Sequence, residues 1–216
     1  MIDMAELVRG RTVAVVGRGR IDDHQAADID AHDVVYRTSA TPVGGPWGQR
    51  SDVVFLCWAA GRDIYQRREA AHLARIVDVP LWVYKGKPRE VRRTGDWRVA
   101  RWPKITNPNA VTLMLWDLIR YHEPASVTVY AADLYAGGPN NAYHDDTMGR
   151  RDLEGQAYGI IRHHPREQRK VHKALASTGK IVGDDRYLAA VAMSDADYDQ
   201  VIRAWWDVAY PETAAA

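Results

Sequence analysis

The sequence has almost no cysteine: Cys57 is the only one among 216 residues. No intrachain disulfide can form, so we expect a reducing compartment. The longest apolar run, residues 53–60, is far shorter than the roughly 20 residues that cross a bilayer. The first residues lack the apolar core of a signal peptide. These absences predict a cytoplasmic protein without a membrane span.

The sequence also lacks a charge excess, since its formal net charge is +1. No global electrostatic field draws such a chain to nucleic acid or to a membrane. Hydrophobic residues make up 46% and charged residues 26% of the chain, which excludes disordered, collagen-like and coiled-coil classes. We expect one α/β domain over residues 1–216, with a frayed tail at 211–216.

Short valine-rich runs alternate with longer segments of helical period. Runs that are apolar on both faces indicate a parallel sheet covered by helices, as in βαβ units. The predicted strands are Thr12–Val16, Asp33–Tyr36, Asp52–Cys57, Pro80–Tyr84 and Ser126–Tyr130. The predicted helices are Arg62–Val77, Asn109–Tyr121, Arg150–Arg162, Pro165–Ser177 and Asp195–Val208, with Pro165 in a first turn and Gly179 at a C-terminal cap. The fold class is therefore a Rossmann-like domain with a mostly parallel twisted sheet.

A glycine turn follows the first strand, in the sequence VAVVGRGR. Gly17 and Gly19 allow backbone N–H groups to approach a phosphate at the sheet edge, although a tight turn without a ligand fits equally well. The segment IDAHDVVYRTS places Asp30, His32 and Asp33 before the second strand and Arg37 at its end. Such residues are more often structural when considered alone.

Two further segments combine polar residues with helix starts. Asn107 and Asn109 open a buried helix, where they cap it or leave N–H groups for an anion. His163 and His164 precede Pro165 at another helix start, where the positive end of the dipole favours a neutral imidazole that can act as a base. An exposed loop pair is the simpler interpretation of these histidines. His144 with two aspartates lacks a full metal-ligand set, so we predict no metal site.

Taken in order, these segments resemble the animal-type sialyltransferase family and its shorter bacterial and phage relatives. The large motif of that family is similar to VVGR at residues 15–18, to ID, HD, V and R within residues 29–39, and to GQRSD at 48–52. The small motif resembles residues 108–135, and the third resembles Tyr143–Asp145. The last motif, a histidine followed by a glutamate, falls at His163 or His164, with Gln168 in the glutamate position.

The resemblance implies a variant glycosyltransferase A fold and an inverting, metal-independent enzyme that uses a CMP-type nucleotide-sugar as co-substrate. It implies no other cofactor. It places Gly17, Arg18 and Ser39 near the nucleotide phosphate or ribose, and Asn107 and Asn109 near the base or ribose. It brings Tyr143 and His144 to the phosphate, and makes His163 or His164 the base. The strongest match is the run at residues 29–37, whose residues 30–33 we call the HD segment. The glycine turn, the HD segment with its strand and the paired histidines are therefore expected to converge in one crevice at the carboxyl edge of the sheet. The full predicted set is His163, His164 and His144 as catalytic residues, with Gly17, Arg18, Gly19, Arg37, Ser39, Asn107, Asn109 and Tyr143 binding the donor.

Two other function classes stay open. The first is a nucleic-acid-associated module. Residues 85–104 carry eight basic residues with Trp97 and Trp102 between them; basic residues can neutralise phosphates, and tryptophans can stack on bases. A solvated hairpin explains the same residues more simply. The second is a Rossmann-type protein that binds a nucleotide without catalysis. The acceptor is a glycan, a small molecule or modified DNA, and the sequence leaves a homodimer open.

Overall fold

A computed structural model describes residues 3–38, 41, 43–56, 81–84, 96–99, 101, 103–139 and 153–214. Seven strands in these ranges form one sheet, and every neighbouring pair is parallel. In chain order they are β1 (Thr12–Val16), β2 (Val34–Thr38), β3 (Val53–Leu56), β4 (Leu81–Tyr84), β5 (Asp96–Val99), β6 (Ser126–Tyr130) and β7 (Ile181–Gly183). Their order across the sheet is β5-β4-β3-β2-β1-β6-β7. The predicted α/β class with a parallel sheet is confirmed.

The helices of the described part lie between and after these strands. They are α1 (Met4–Val8), α2 (Gln25–Asp30), α3 (Ala110–Tyr121), α4 (Leu153–Ile161), α5 (Pro165–Ala176), α6 (Asp185–Ala192), α7 (Asp195–Ala209) and α8 (Pro211–Ala214). A short 3₁₀ helix spans Gly45–Trp47. None of the helices in the described ranges is long and apolar enough to cross a membrane.

Successive residues of a strand point to opposite faces of the sheet, so each central strand contributes to two separate cores. Val13 and Val15 of β1 belong to the larger core, which α3 covers with Leu115 and Leu118. Ala14 and Val16 belong to a smaller core on the other face, which also contains Ile29 of α2, Val35 and Tyr130. Burial on both faces is the physical reason for the near-continuous valine runs.

The sequence predicted the central strands and missed the outer ones. β7 was not predicted, because three residues give too short a pattern. β5 was not predicted either; it pairs with β4 in parallel, not as a hairpin. Residues 85–95, where the rest of the suggested hairpin falls, lie outside the described residues. The short helices α1, α2 and α6 were also missed.

The ends of the predicted helices are close to those observed. Asn109 is the N-cap of α3, and Pro165 is in the first turn of α5. Gly179 adopts a φ of 72°, the left-handed conformation that a C-terminal cap requires. The predicted fraying of the tail is wrong for residues 211–214, which form α8. The predicted helix at 62–77 lies outside the described residues.

Candidate functional site

The strand order creates a switch point between β1 and β6. From β1 the chain proceeds through β2, β3, β4 and β5 on one side, and then returns to place β6 and β7 on the other side. In open α/β sheets, ligands bind in the crevice outside the carboxyl ends of the strands at such a point. The segments that follow β1 and β6, which begin at Gly17 and Ala131, therefore border the candidate site.

The two glycines after β1 allow its exit turn to lie against the exit turn of β6. The Gly17 N–H donates to the Tyr130 carbonyl (2.9 Å), and the Gly19 N–H donates to the Ala131 carbonyl (2.7 Å). A Cβ atom on Gly17 would lie 2.4 Å from the Ala131 oxygen, and one on Gly19 would lie 2.8 Å from it. Both N–H groups are thus used within the fold and are not available to a phosphate.

Backbone strain concentrates near the same edge. Five of the six non-glycine residues with positive φ in the described part lie here, with φ between 42° and 68°: Ala131, Leu134 and Tyr135 after β6, Asn107 before α3, and His164 before α5. The sixth, Glu123, lies at the other edge, before β6. Bulky residues rarely adopt this region, and each instance costs about 1–3 kcal/mol that the surrounding structure must offset. Such strain is typical of functional sites, and here it marks the segments around the carboxyl ends of the strands.

His163 is the better oriented of the two predicted histidines. Its Nδ1 lies 2.8 Å from the carbonyl oxygen of Asn107, and the Asn107 amide donates to the Arg162 carbonyl at 3.1 Å. A carbonyl only accepts hydrogen bonds, so Nδ1 carries the proton and Nε2 is the basic nitrogen of the neutral ring. The side chain is half-buried. This is the arrangement that a general base requires.

His164 occupies a different environment. It is exposed and left-handed, with φ of 51°, and it makes no side-chain hydrogen bond to cap α5. The structure therefore separates two residues that the sequence left equivalent: one imidazole is held by the backbone, and the other projects from the turn.

Gln168 connects the turn that carries His163 to the start of α3. Its Oε1 accepts from the Asn109 N–H (2.8 Å) and from the Thr112 hydroxyl (2.7 Å), and its Nε2 donates to the His163 carbonyl. The glutamine is 1% exposed. A glutamate at this position could not donate to the His163 carbonyl unless it were protonated, so the amide suits both contacts.

Asn109 completes the connection toward the switch point. Its Oδ1 accepts from the Thr112 N–H (2.8 Å), and its Nδ2 donates to the Tyr135 hydroxyl (2.9 Å). Burial raises the pKa of Tyr135 to about 12, so its hydroxyl stays protonated. Hydrogen bonds thus link Asn109 to Tyr135, which lies on the segment after β6, and through Gln168 to His163. The helix-capping interpretation of Asn109 is confirmed, and contact with a donor stays a prediction.

A buried histidine extends this network and was missed by sequence reasoning. His172 is fully buried, with Nε2 2.9 Å from the Thr112 hydroxyl and Nδ1 3.2 Å from the Tyr187 hydroxyl. The Thr112 proton is committed to Gln168, so His172 Nε2 must donate and Nδ1 must accept from Tyr187. Burial lowers the pKa of His172 to about 3. No local sequence pattern distinguishes a buried histidine on a helix from an exposed one.

The conspicuous HD segment lies at the other edge of the sheet. Asp33 precedes β2 and accepts from the Thr12 N–H (2.8 Å) and the Thr12 hydroxyl (2.9 Å) at the amino end of β1. His32 contacts the Thr128 hydroxyl of β6 at 2.9 Å. The expected convergence of this segment with the glycine turn and the histidines therefore fails. Its side chains instead join the amino ends of β1 and β2 and contact the middle of β6.

Arg37 ends β2 but is not available to a ligand from solution. Only 1% of the residue is exposed, and its Nε donates to the Arg50 carbonyl at 2.7 Å. Burial lowers its pKa to about 10, which leaves the guanidinium charged at neutral pH. We correct its assignment from donor binding to a structural role that anchors the loop between β2 and β3.

Three predicted residues, Ser39, Tyr143 and His144, lie outside the described residues. Arg18 is half-buried between the two glycines, and a role in donor binding stays a prediction for it. In the described part of the chain, no three His, Cys, Asp or Glu side chains are grouped to hold a metal ion. Of the eight basic residues of the segment 85–104, only Arg98 in β5, Arg101 and Lys104 belong to the described residues. The Arg101 guanidinium lies 4.3 Å from the Tyr121 ring centroid.

Comparison of the chain with protein-family models and with curated protein sequences gives no match. The likeness to sialyltransferases therefore rests on the order of motifs within this sequence. The structure adds an independent reason to look at the same edge of the sheet, because the switch point, the strained segments and His163 are connected there.

Proposed function

We propose that the chain is an inverting glycosyltransferase that moves a sugar from a nucleotide-sugar donor to an acceptor hydroxyl, with His163 as the general base. One observation carries the proposal. The Asn107 carbonyl fixes the His163 tautomer, at a turn that hydrogen bonds connect to the switch point of a parallel sheet. A CMP-type donor without a bound metal is the form that the motif resemblance supports.

The chemistry needs one base and one leaving group. The acceptor oxygen attacks the anomeric carbon, while the bond between that carbon and the nucleotide phosphate oxygen breaks. The electron pair leaves with the phosphate, and the hydroxyl proton goes to Nε2 of His163. The Asn107 carbonyl then stabilises the positive imidazolium through Nδ1–H. A single displacement of this kind inverts the anomeric centre.

The experiment has a binding stage and a turnover stage. Melting temperatures are measured with CMP, UDP, GDP and their sugar conjugates, because a ligand at a hundredfold excess over its Kd stabilises the protein by about 2.7 kcal/mol. The best donor is then incubated with glycan, small-molecule and DNA acceptors, and nucleotide release and the transferred sugar are measured. We expect His163→Ala to reduce turnover by about 10²- to 10⁴-fold with little change in donor affinity.

His164→Ala is the matched control, because it removes an imidazole one residue away. It should keep turnover within about threefold, since the exposed ring makes no capping hydrogen bond. The proposal is wrong if no nucleotide or nucleotide-sugar raises the melting temperature, or if His163→Ala turns over as fast as the unmodified protein. A donor that binds without hydrolysis or transfer to any acceptor would favour the non-catalytic alternative.

A further inference from the structure

A groove between α3 and α5 has a composition that suits an anionic ligand. It is about 610 Å³ in volume, and its wall includes Lys104, Thr106, Trp116, Glu167, Lys170 and Val171. Sites for small molecules typically measure about 300–1,000 Å³. The groove is therefore large enough for a ligand the size of a sugar phosphate, and it was not among the sites predicted from sequence.

The two lysines of the groove are not neutralised by neighbouring residues. Among the described residues, neither the Lys104 nor the Lys170 ammonium forms an ion pair, and both residues are exposed. One turn away on α5, Lys173 does pair with Asp195, at 2.8 Å. The Glu167 carboxylate accepts weakly from the Thr106 N–H at 3.5 Å. The groove thus carries one net positive charge and has donors to offer an oxyanion.

The indole of Trp116 supplies a second, independent sign of a ligand. Its Nε1–H is buried and has no hydrogen-bond partner in the described part of the chain. Buried polar groups are nearly always hydrogen-bonded, and an exception requires an explanation. A ligand oxygen that enters the groove and draws the indole toward it would satisfy this donor, while the ring offers apolar surface to the body of the ligand.

The groove adjoins the turn that carries the proposed base. Thr106 lies in the groove wall next to Asn107, whose carbonyl holds His163. Glu167 lies in the first turn of α5, directly after that turn. A ligand bound along the groove therefore ends close to His163, on the α3 side of the sheet.

We infer that this groove binds a phosphate group, held by Lys104 and Lys170, on a sugar-sized ligand. The same ligand is the acceptor of the transfer reaction. This part of the inference rests on the proposed function, because only that function gives the neighbouring His163 a hydroxyl to deprotonate. The phosphate-binding part does not depend on transfer.

The test uses glucose 6-phosphate as the probe, with glucose as the uncharged comparison, on the full-length protein. Binding is followed by calorimetry and by the indole N–H resonance of Trp116, which Trp116→Phe identifies by its disappearance. We expect glucose 6-phosphate to bind and to shift that resonance, and glucose to do neither. The double variant K104Q/K170Q should weaken binding by about tenfold or more, since two charged contacts are lost.

K180Q/R203Q is the matched control, because it removes two positive charges that lie outside the groove wall. It should leave the affinity within about twofold. Glu167→Gln removes the one opposing charge and should tighten binding by a few-fold, an effect that a merely structural role would not give. Weakening by the control variant as large as that by K104Q/K170Q, or an unshifted Trp116 resonance, overturns the inference.

The outcomes separate this inference from the proposed function. Phosphate binding without transfer from any donor supports the groove and contradicts the transferase. Transfer to neutral acceptors without phosphate binding supports the transferase and contradicts the phosphate-binding groove. If the nucleotide selected by the melting-temperature screen displaces glucose 6-phosphate from the groove, the groove belongs to the donor and its assignment to the acceptor is wrong.

Discussion

His172 shows at the scale of one residue how burial controls charge. The neutral ring fits its surroundings because each nitrogen has a single complementary partner, the Thr112 hydroxyl on one side and the Tyr187 hydroxyl on the other. A proton on Nδ1 would replace an accepted hydrogen bond with two opposing donors in a site without solvent. The native state therefore resists protonation of His172 far below pH 6.5.

The consequence is a predictable loss of stability in mild acid. The pKa of His172 falls from 6.5 to about 3 on folding, so the unfolded state alone takes up this proton between those values. Stability should be fully present above pH 6.5 and should fall as the pH drops, by about 1.4 kcal/mol per unit from this residue. Urea unfolding at intervals from pH 7.5 to 4.5 measures the slope.

His172→Gln provides the comparison, because glutamine can form hydrogen bonds but does not titrate. The variant is expected to be less stable at pH 7.5, yet its unfolding free energy should depend less steeply on pH. The measurement compares the slopes of unfolding free energy against pH, so the two proteins need not be equally stable. An identical slope in both proteins would assign the acid sensitivity to other groups.

At the scale of elements, the start of α3 does more than begin a helix. Asn109 caps α3 through Oδ1, bonds Tyr135 through Nδ2, and donates its own N–H to Gln168 on α5. Ser194 caps α7 within the first turn alone: its hydroxyl accepts from the Asp197 N–H at 3.0 Å and donates to the Asp197 carboxylate at 2.7 Å. Comparing the two caps separates the stability lost with an N-cap from the stability lost when the contacts of α3 to Tyr135 and α5 are also broken.

Alanine at each cap should therefore have unequal effects. Ser194→Ala is expected to cost about 1 kcal/mol, the usual value for a lost N-cap. Asn109→Ala should cost about 1.5–3 kcal/mol, since a hydrogen bond to a buried hydroxyl is lost as well. Asn109→Asp keeps the capping oxygen without the Nδ2 donor, and should fall between Asn109→Ala and the unmodified protein. Equal losses for the two alanine variants would show that the Tyr135 contact contributes nothing.

At the scale of the whole molecule, the two edges of the sheet have different roles. At the amino edge, the Asp33 carboxylate accepts hydrogen bonds from Thr12 of β1, and the His32 ring contacts Thr128 of β6. The carboxyl edge contains the switch point, the strained turns and the histidine turn. A ligand that binds according to the proposed function must contact the carboxyl edge.

Hydrogen exchange can locate that contact directly. With the nucleotide selected by melting temperature, we expect slower exchange in residues 103–109 and 131–139, and unchanged exchange at residues 30–34 and 122–125. The protection arises because binding stabilises the segments that the ligand touches against local opening. The same pattern should persist in His163→Ala, which retains donor binding. Protection confined to residues 30–34 and 122–125 would place the ligand at the wrong edge for the proposed chemistry.

Local patterns were sufficient wherever the physical cause is local. The valine runs specified the central strands because burial on both faces leaves no alternation. Asn109 and Pro165 marked the helix starts correctly because capping and the fixed φ of proline act within a few residues. The outer strand β7 carried too few residues to be detected in this way.

Tertiary structure alone decided which polar residues meet. The HD segment gave the strongest pattern in the sequence, yet its position before β2 directs it to the amino edge, where it serves the fold. His172 gave no pattern, and the contacts of Gln168 were not foreseen, because the Thr112 hydroxyl that both residues contact lies on another helix more than 50 residues away in the chain. The sequence by itself determined a parallel α/β sheet with histidines at a helix start. Chain crossover and long-range hydrogen bonding distinguish His163, which the Asn107 carbonyl orients, from the exposed His164, since contacts between distant segments are encoded in no single stretch of sequence.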